Sequence, residues 1–486
     1  MSGTAETQTL LTRADALANT LPLELANSFL LGANDPNSYK HQYANLYFVR
    51  LAKLRKVTIE RANQQWMSHP GNPTFIPRLL GVVKGKFCWV VGTVYKEMPL
   101  KDNVLNDLAK EHGIAPPPPR IKFHSDDDQV FLEDESGRIV VVGEFLKGLN
   151  LVTGIVVAFL GMEKASGDFE AMDICYPGAA PYANAANGEP KSMEVDTSDE
   201  WIAFVSGLNV GPPSAPSDLR INLLVEYLLG ETGDEGDQRH ASRISRLVIA
   251  GDSFAPISYD DPDTAVDAKM TVPGEIAPVT TKRAAKKYRY ESGSFSAHPT
   301  QSLSGHLTEL SRSMVVHLVP GASDPSGITL PQQPLPRAMF GEAKNYESFH
   351  VETNPCWIGA GICHILGNGG QPLDDAFRYI KSTDRLGLAC EMLKWRHMAP
   401  SAPDTLWCYP FFSADPFIMA NTPHIYFIGN QPRFETTIVE QENGQKTRVL
   451  LLPKFIDSGE VILVNPATLE VKSVQMNSDW DDMDGL

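Results

Sequence analysis

Along the chain the apolar positions change period twice. From residue 38 to 66 they recur at helical spacing, with Tyr43, Tyr47, Leu51 and Leu54 in line beside Arg50, Lys53, Arg55 and Arg61. That pattern predicts a long amphipathic helix with a basic outer face. Between residues 79 and 176 the period shortens to two, or collapses into brief apolar runs. Segments 87–95, 130–133, 138–142, 151–160 and 171–174 read as strands, broken at Asp134-Glu135-Ser136-Gly137 and Ser166-Gly167-Asp168. One helix, 100–112, interrupts them, stopped by Gly113 and followed by a proline run at 116–119. Five strands around one long insertion suit a small Greek-key barrel of the OB type. Its strands carry few aromatics and its 124–135 flank is acidic, so structural or protein-docking use is favoured over single-strand binding.

A stretch rich in Pro, Ala, Asn and Gly at 177–200 reads as a linker or surface loop, and a second pattern follows it. Strand 201–206, a helix at 218–229 capped by Ser217 and stopped by Gly230, and strand 246–250 make a βαβ unit. Ligands of such a unit belong at the carboxyl ends of its strands. A helix near 301–313 and strands at 314–319, 362–366, 424–428, 448–452 and 461–464 continue the region. The expected domains are an N-terminal arm at 1–37, a packed helical segment at 38–78, the barrel at 79–176 and a large domain at 201–470. Insertions are expected near 231–243 and 258–290, and an acidic tail at 471–486. The run 281–290, TKRAAKKYRY, is strongly basic and reads as a solvated face, a localisation signal or a nucleic-acid contact.

Composition narrows the class. At 486 residues, with 42% hydrophobic and 9% aromatic positions, two or three globular domains are expected. No run approaches the ~20 apolar residues that span a bilayer, the N-terminus lacks the features of a secretory signal, and six scattered cysteines without C-x-x-C read as reduced thiols. An intracellular chain without membrane contact is the expectation. With 42 basic against 59 acidic residues the net charge of −17 opposes unaided binding to a phosphate backbone.

The candidate chemistry lies in five glycine-marked loops. Strand 201–206 breaks at Gly207-Leu208-Asn209, where a two-metal phosphoesterase carries an aspartate and a histidine two residues apart. The second motif of that family, G-D, stands as Gly251-Asp252. The third, G-N-H-D or G-N-H-E, stands as Gly321-Ala322-Ser323-Asp324. A His before a Gly is expected in the fourth, where this chain has Gly367-Asn368-Gly369-Gly370. The last, G-H-x-H, has become Gly429-Asn430-Gln431-Pro432. The region therefore resembles a calcineurin-like phosphoesterase stripped of its site, with Gly207, Asn209, Asp252, Ala322, Ser323, Asp324, Asn430 and Pro432 at the vestigial positions. Asp252 and the amides of Asn209 and Asn430 are too few to hold two metals ~3.5–4 Å apart. No catalytic residue, metal or cofactor is expected. His317 and His397 fall off these positions and are expected as hydrogen-bonded structural histidines. There is no G-x-S-x-G, and 367–370 lacks the Lys-Ser/Thr of a phosphate loop.

A barrel followed by an inactivated phosphoesterase resembles the B-type subunits of eukaryotic replicative DNA polymerases. The strings QYANLYFVRLAKLRKVTIERANQQW (42–66), VGTVYKEMP (91–99), TLPQQPL (329–335), RHMAPSAPDTLWCYPFFSADP (396–416) and PHIYFIGN (423–430) look like the small subunits of DNA polymerase delta in particular. The resemblance covers about residues 40–470, and departs in the arm, the insertions and the tail. It implies a fold of an OB-type barrel joined to an inactive two-sheet phosphoesterase sandwich with flanking helices. It implies a nuclear, non-catalytic scaffold in a hetero-oligomer for replication, repair and translesion synthesis. Such a scaffold ties the C-terminal metal-binding module of the catalytic subunit to a third accessory subunit, reaches the sliding clamp indirectly, meets DNA at most weakly, and is shared with polymerase zeta. Alternative readings are a residual metal-dependent phosphodiesterase using Asp252 and Asp324, a stand-alone single-strand binder, and the B-type subunit of another polymerase.

Overall fold

A computed structural model describes residues 12–32, 41–101, 120–182, 199–211, 218–256, 298–441 and 444–476. The helix expected at 100–112, the proline run, the Ser217 cap, insertion 258–290 with its basic run, and tail residues 479–486 lie outside the described residues, wholly or for the greater part.

The first sheet is formed by β1 (Thr74–Phe75), β2 (Phe87–Glu97), β3 (Gln129–Asp134), β4 (Gly137–Val142), β5 (Val156–Glu163) and β6 (Phe169–Cys175). It runs in the order β1-β2-β3-β4-β6-β5, and β2 pairs with β5 as well, so five strands close into a barrel. Helix α1 (Ala44–Trp66) lies across it, burying Leu51, Leu54, Ala62 and Trp66 against Trp89, Val91, Val156 and Leu160. Two expectations for this helix fail. It begins at Ala44 rather than 38, and Arg50, assigned to the basic outer face, is fully buried while Tyr43 of the expected apolar stripe is exposed.

The second region is a sandwich of two sheets. One contains β7 (Trp201–Val205), β8 (Ile244–Ala250), β9 (Val315–Val319), β10 (Phe349–Val351), β16 (Glu460–Val464) and β17 (Val471–Gln475). The other contains β11 (Cys356–Ala360), β12 (Cys363–Asn368), β13 (Ile425–Gln431), β14 (Glu435–Glu440) and β15 (Lys446–Pro453). Each has a parallel centre, β7-β8-β9-β10 or β12-β13-β15, with antiparallel strands outside it. Alternation along the strands builds the layers. Phe204, Val248, Phe427 and Leu450 fill the space between the sheets. Ala203, Val205, Leu247 and Ile249 face outward to α2 (Asp218–Leu229) and α4 (His298–Ser311). Tyr426, Ile428, Val449 and Leu451 face the other way, to α5 (Gln371–Tyr379), α6 (Arg385–Trp395) and the barrel.

Within the segment expected as an insertion near 231–243 lies helix α3 (Glu235–Ser242), which Asp234 opens with a reciprocal capping box to Asp237. Two further expectations are corrected. Residues 471–475, expected in the tail, form edge strand β17 because Val471 and Val474 pair in register with Val464 and Val461. The start of the expected 177–200 linker is packed: Ala180 is buried and the Tyr182 ring stacks on His424 at 4.3 Å.

The first part of the arm, residues 13–19, packs on the sandwich at the end opposite the strands' carboxyl termini. The Arg13 guanidinium donates to the carbonyls of Leu228, Ala241 and Ile244, at the ends of α2 and α3 and at the start of β8. Gly361 N–H donates to Ala18 O at 3.0 Å, and Phe29 is buried. Gln333 then clamps the segment, donating to Phe29 O and accepting from Leu31 N–H, both at 3.1 Å.

Candidate functional site

Parallel strands from both sheets deliver their carboxyl ends to one edge of the sandwich, and the five glycine-marked loops meet there. Gly207 N–H donates to Gly251 O at 2.9 Å, and Asn209 N–H to Asp252 O at 3.0 Å. Ser206 Oγ joins the sheets, donating to Pro453 O at 2.9 Å and accepting from Asn430 N–H at 2.9 Å. Asn430 Nδ2 donates to Gly369 O at 2.9 Å. Asn209, Asp252 and Asn430 all have positive φ, at 47°, 54° and 56°. Asn and Asp are the side chains that best tolerate that backbone. Glycine is demanded where the loops touch: a Cβ on Gly321 would lie 2.1 Å from Asp252 N, and one on Gly429 2.1 Å from Ala250 O.

The two surviving carboxylates are both engaged. Asp252, 6% exposed, accepts Ser323 N–H on Oδ1 at 3.0 Å and faces the Lys454 ammonium on Oδ2 at 3.9 Å. Asp324 accepts Phe254 N–H at 2.9 Å and Gly321 N–H at 2.7 Å. Burial pushes the Asp324 carboxyl up to about 6, against the lowering effect of those two N–H groups. Ser323 Oγ donates to Phe254 O at 2.6 Å, and Ala322 offers no donor atom. Pro432 lines a depression of about 360 Å³ with Asn430, Lys454, Asp457 and Ser458.

This constellation does not fit a two-metal centre. Such a centre needs about six carboxylate or imidazole ligands aimed at two points. Gly207 supplies no side chain, one carboxylate is spent on backbone N–H groups, and the other shares itself between an N–H and an ammonium. Among the described residues no group of three or more His, Cys, Asp or Glu is placed to hold a metal. The off-site histidines serve structure. His317 contacts Glu352 at 2.8 Å and stacks on His350, and His397 Nε2 meets Asp415 at 2.9 Å. Lys454 is signalled by no motif. Only its place at the end of an apolar strand, just after Leu450-Leu451-Leu452-Pro453, could draw attention to it.

The strings that carry the resemblance supply ties within the interior. Within 396–416, Asp415 binds Arg50 Nε at 2.7 Å, while Pro400 O and Ala402 O accept from the same guanidinium at 2.8 and 2.7 Å. Gly154 O of the barrel accepts from it at 3.1 Å, so one buried cation ties barrel, helix α1 and sandwich together. Within 329–335, Gln332 Nε2 supports the Gly321 loop through its carbonyl at 2.9 Å.

Comparison with known proteins agrees with this layout. A family model described as the DNA polymerase delta subunit OB-fold domain matches residues 42–174, which span the barrel strands. A second model, for the B-type subunit of DNA polymerases alpha and epsilon, matches residues 202–436. The DNA polymerase delta small subunit of Oryza sativa is 33% identical over 442 residues, covering 90% of this chain and 94% of that one. The Saccharomyces cerevisiae DNA polymerase delta small subunit is 30% identical, with 90% of each chain covered. In Drosophila melanogaster, DNA polymerase delta subunit 2 is 30% identical over 94% of this chain and 97% of its own. An OB-fold barrel, a sandwich of the polymerase B type and full-length similarity at this level place the chain in the family of DNA polymerase delta small subunits, non-catalytic accessory subunits of that replicative polymerase.

Proposed function

We propose that this chain is a protein scaffold built on an inactivated calcineurin-like phosphoesterase, assembling with the catalytic subunit of DNA polymerase delta in the nucleus. The observation that carries the reading is the loop cluster at the carboxyl edge: glycine, amide and proline stand where ligands belong, and both remaining carboxylates are committed internally. A site without ligands leaves the sandwich free to act through its surface. The scaffold bridges the C-terminal metal-binding module of the catalytic chain to a third accessory subunit, and through it the sliding clamp. It serves translesion polymerase zeta in the same way. The net charge of −17 supports contact with proteins over independent contact with DNA. The vestigial positions are Gly207, Asn209, Asp252, Ala322, Ser323, Asp324, Asn430 and Pro432.

Capture on the immobilised C-terminal module of the delta catalytic chain tests the bridge. This chain is expected to bind it at one-to-one stoichiometry and to carry the third subunit with it. A module that retains the third subunit without this chain, or that fails to capture this chain, would refute the bridge.

A further inference from the structure

The cluster lacks metal ligands, yet it contains a cation. Lys454 follows β15, and its ammonium faces Asp252 Oδ2 at 3.9 Å. Its stem lies in the space a ligand would need: a Cβ on Gly207 would stand 2.9 Å from both Cβ and Cγ of Lys454 and 2.8 Å from Asn430 Oδ1. Asn430 Oδ1 is buried and has no hydrogen-bond partner. The loop is fixed from both sides, because Phe455 N–H donates to Ser206 O at 2.7 Å and Ile456 N–H to Gly207 O at 3.2 Å. Lys454 is thus held against the glycine that replaces the first aspartate and in front of the carboxylate that remains.

We infer that Lys454 is a resident cation that takes over the charge-balancing role of a divalent metal at Asp252 and bars the edge of the sandwich from metal. An aliphatic stem fills the volume of the missing aspartate, and one positive charge faces one buried negative charge. A divalent ion entering the cluster would meet the ammonium at close range with few oxygen donors in compensation. The inference rests on the reading of these loops as a former phosphoesterase site, and is independent of polymerase assembly.

The test restores the lost ligands in the full chain, by Gly207→Asp with Asn209→His, once with Lys454 present and once with Lys454→Ala. Both variants are titrated with MnCl2 by calorimetry. The Lys454→Ala version is expected to bind Mn²⁺ more tightly by on the order of tenfold or more. Equal binding, or none in either, overturns the role of Lys454. Stoichiometric Mn²⁺ binding by the unaltered chain would instead overturn the inactivated-site reading itself. Should the ligand-restored variants not fold, the native background answers through thermal unfolding. Lys454→Met is expected to lower the melting temperature by about 1–2 °C. Asp252→Asn is expected to do little further harm once Lys454 is gone. Strictly additive losses would contradict the pairing.

Discussion

Arg50 shows how far a single residue can depart from its local pattern. On the helix it reads as a solvated charge, yet its partner Asp415 lies 365 positions away and the pair is sealed from water. Burial alone would raise the Asp415 carboxyl, but Arg50 and His397 outweigh it and hold it far below the usual carboxylate range. Removing one member of a buried pair strands the other, so Arg50→Met is expected to cost about 3–5 kcal/mol in urea unfolding. A loss below about 1 kcal/mol would show that the pair is not structural. Histidine burial sets a second expectation. His424, desolvated and close to His364, is lowered from 6.5 to about 4. Between those two values the unfolded chain accepts a proton there that the folded chain refuses, so stability falls as pH falls. His424→Asn keeps an acceptor for the His364 N–H that His424 Nδ1 now receives at 3.0 Å. It is expected to shrink the stability difference between about pH 7 and pH 5 by about 1–2 kcal/mol. An unchanged difference would place the titration elsewhere.

Among the elements, the arm is the most separable. Phe29 is its buried anchor, with the Gln333 side chain closing over it. Phe29→Ala is expected to cost about 3–4 kcal/mol and to make the arm the earliest site of limited proteolysis, whereas cleavage at wild-type rate would mean the arm is held by Arg13 and its backbone hydrogen bonds without the ring. The central strands are the legible ones, because β7 is apolar at every position and β8, β13 and β15 each contain an unbroken apolar run, Leu247–Ala250, Ile425–Ile428 and Val449–Leu452. Edge strands are not. β14 (ETTIVE) and β17 (VKSVQ) are largely polar, so the first is passed over and the second reads as tail, and their existence depends on β15 and β16 beside them. Helices α5 and α6 escape the sequence pattern in a segment broken by Gly370 and Gly387. The meeting of the five loops is foreseeable, since parallel strands deliver their carboxyl ends together. The cation among them is not, because Lys454 acquires meaning only from what surrounds it.

At the scale of the molecule, barrel and sandwich are joined by buried polar bonds as well as apolar contact. Lys96 Nζ donates to Tyr379 O at 2.7 Å, and Lys122 Nζ to the carbonyls of Phe377, Ile380 and Ser382 at 2.8, 2.9 and 2.8 Å, capping the end of α5 from the barrel side. With Arg50 these ties make the chain a single strut, suited to holding partners at a fixed spacing. Its value then lies in what it carries. The most direct measurement is a mass-spectrometric inventory of the proteins that leave the cell with the tagged full-length chain. The expected result is a stoichiometric large polymerase chain with a cysteine-rich C-terminus, together with a third subunit. Recovery of this chain alone, without any polymerase chain, would contradict the scaffold.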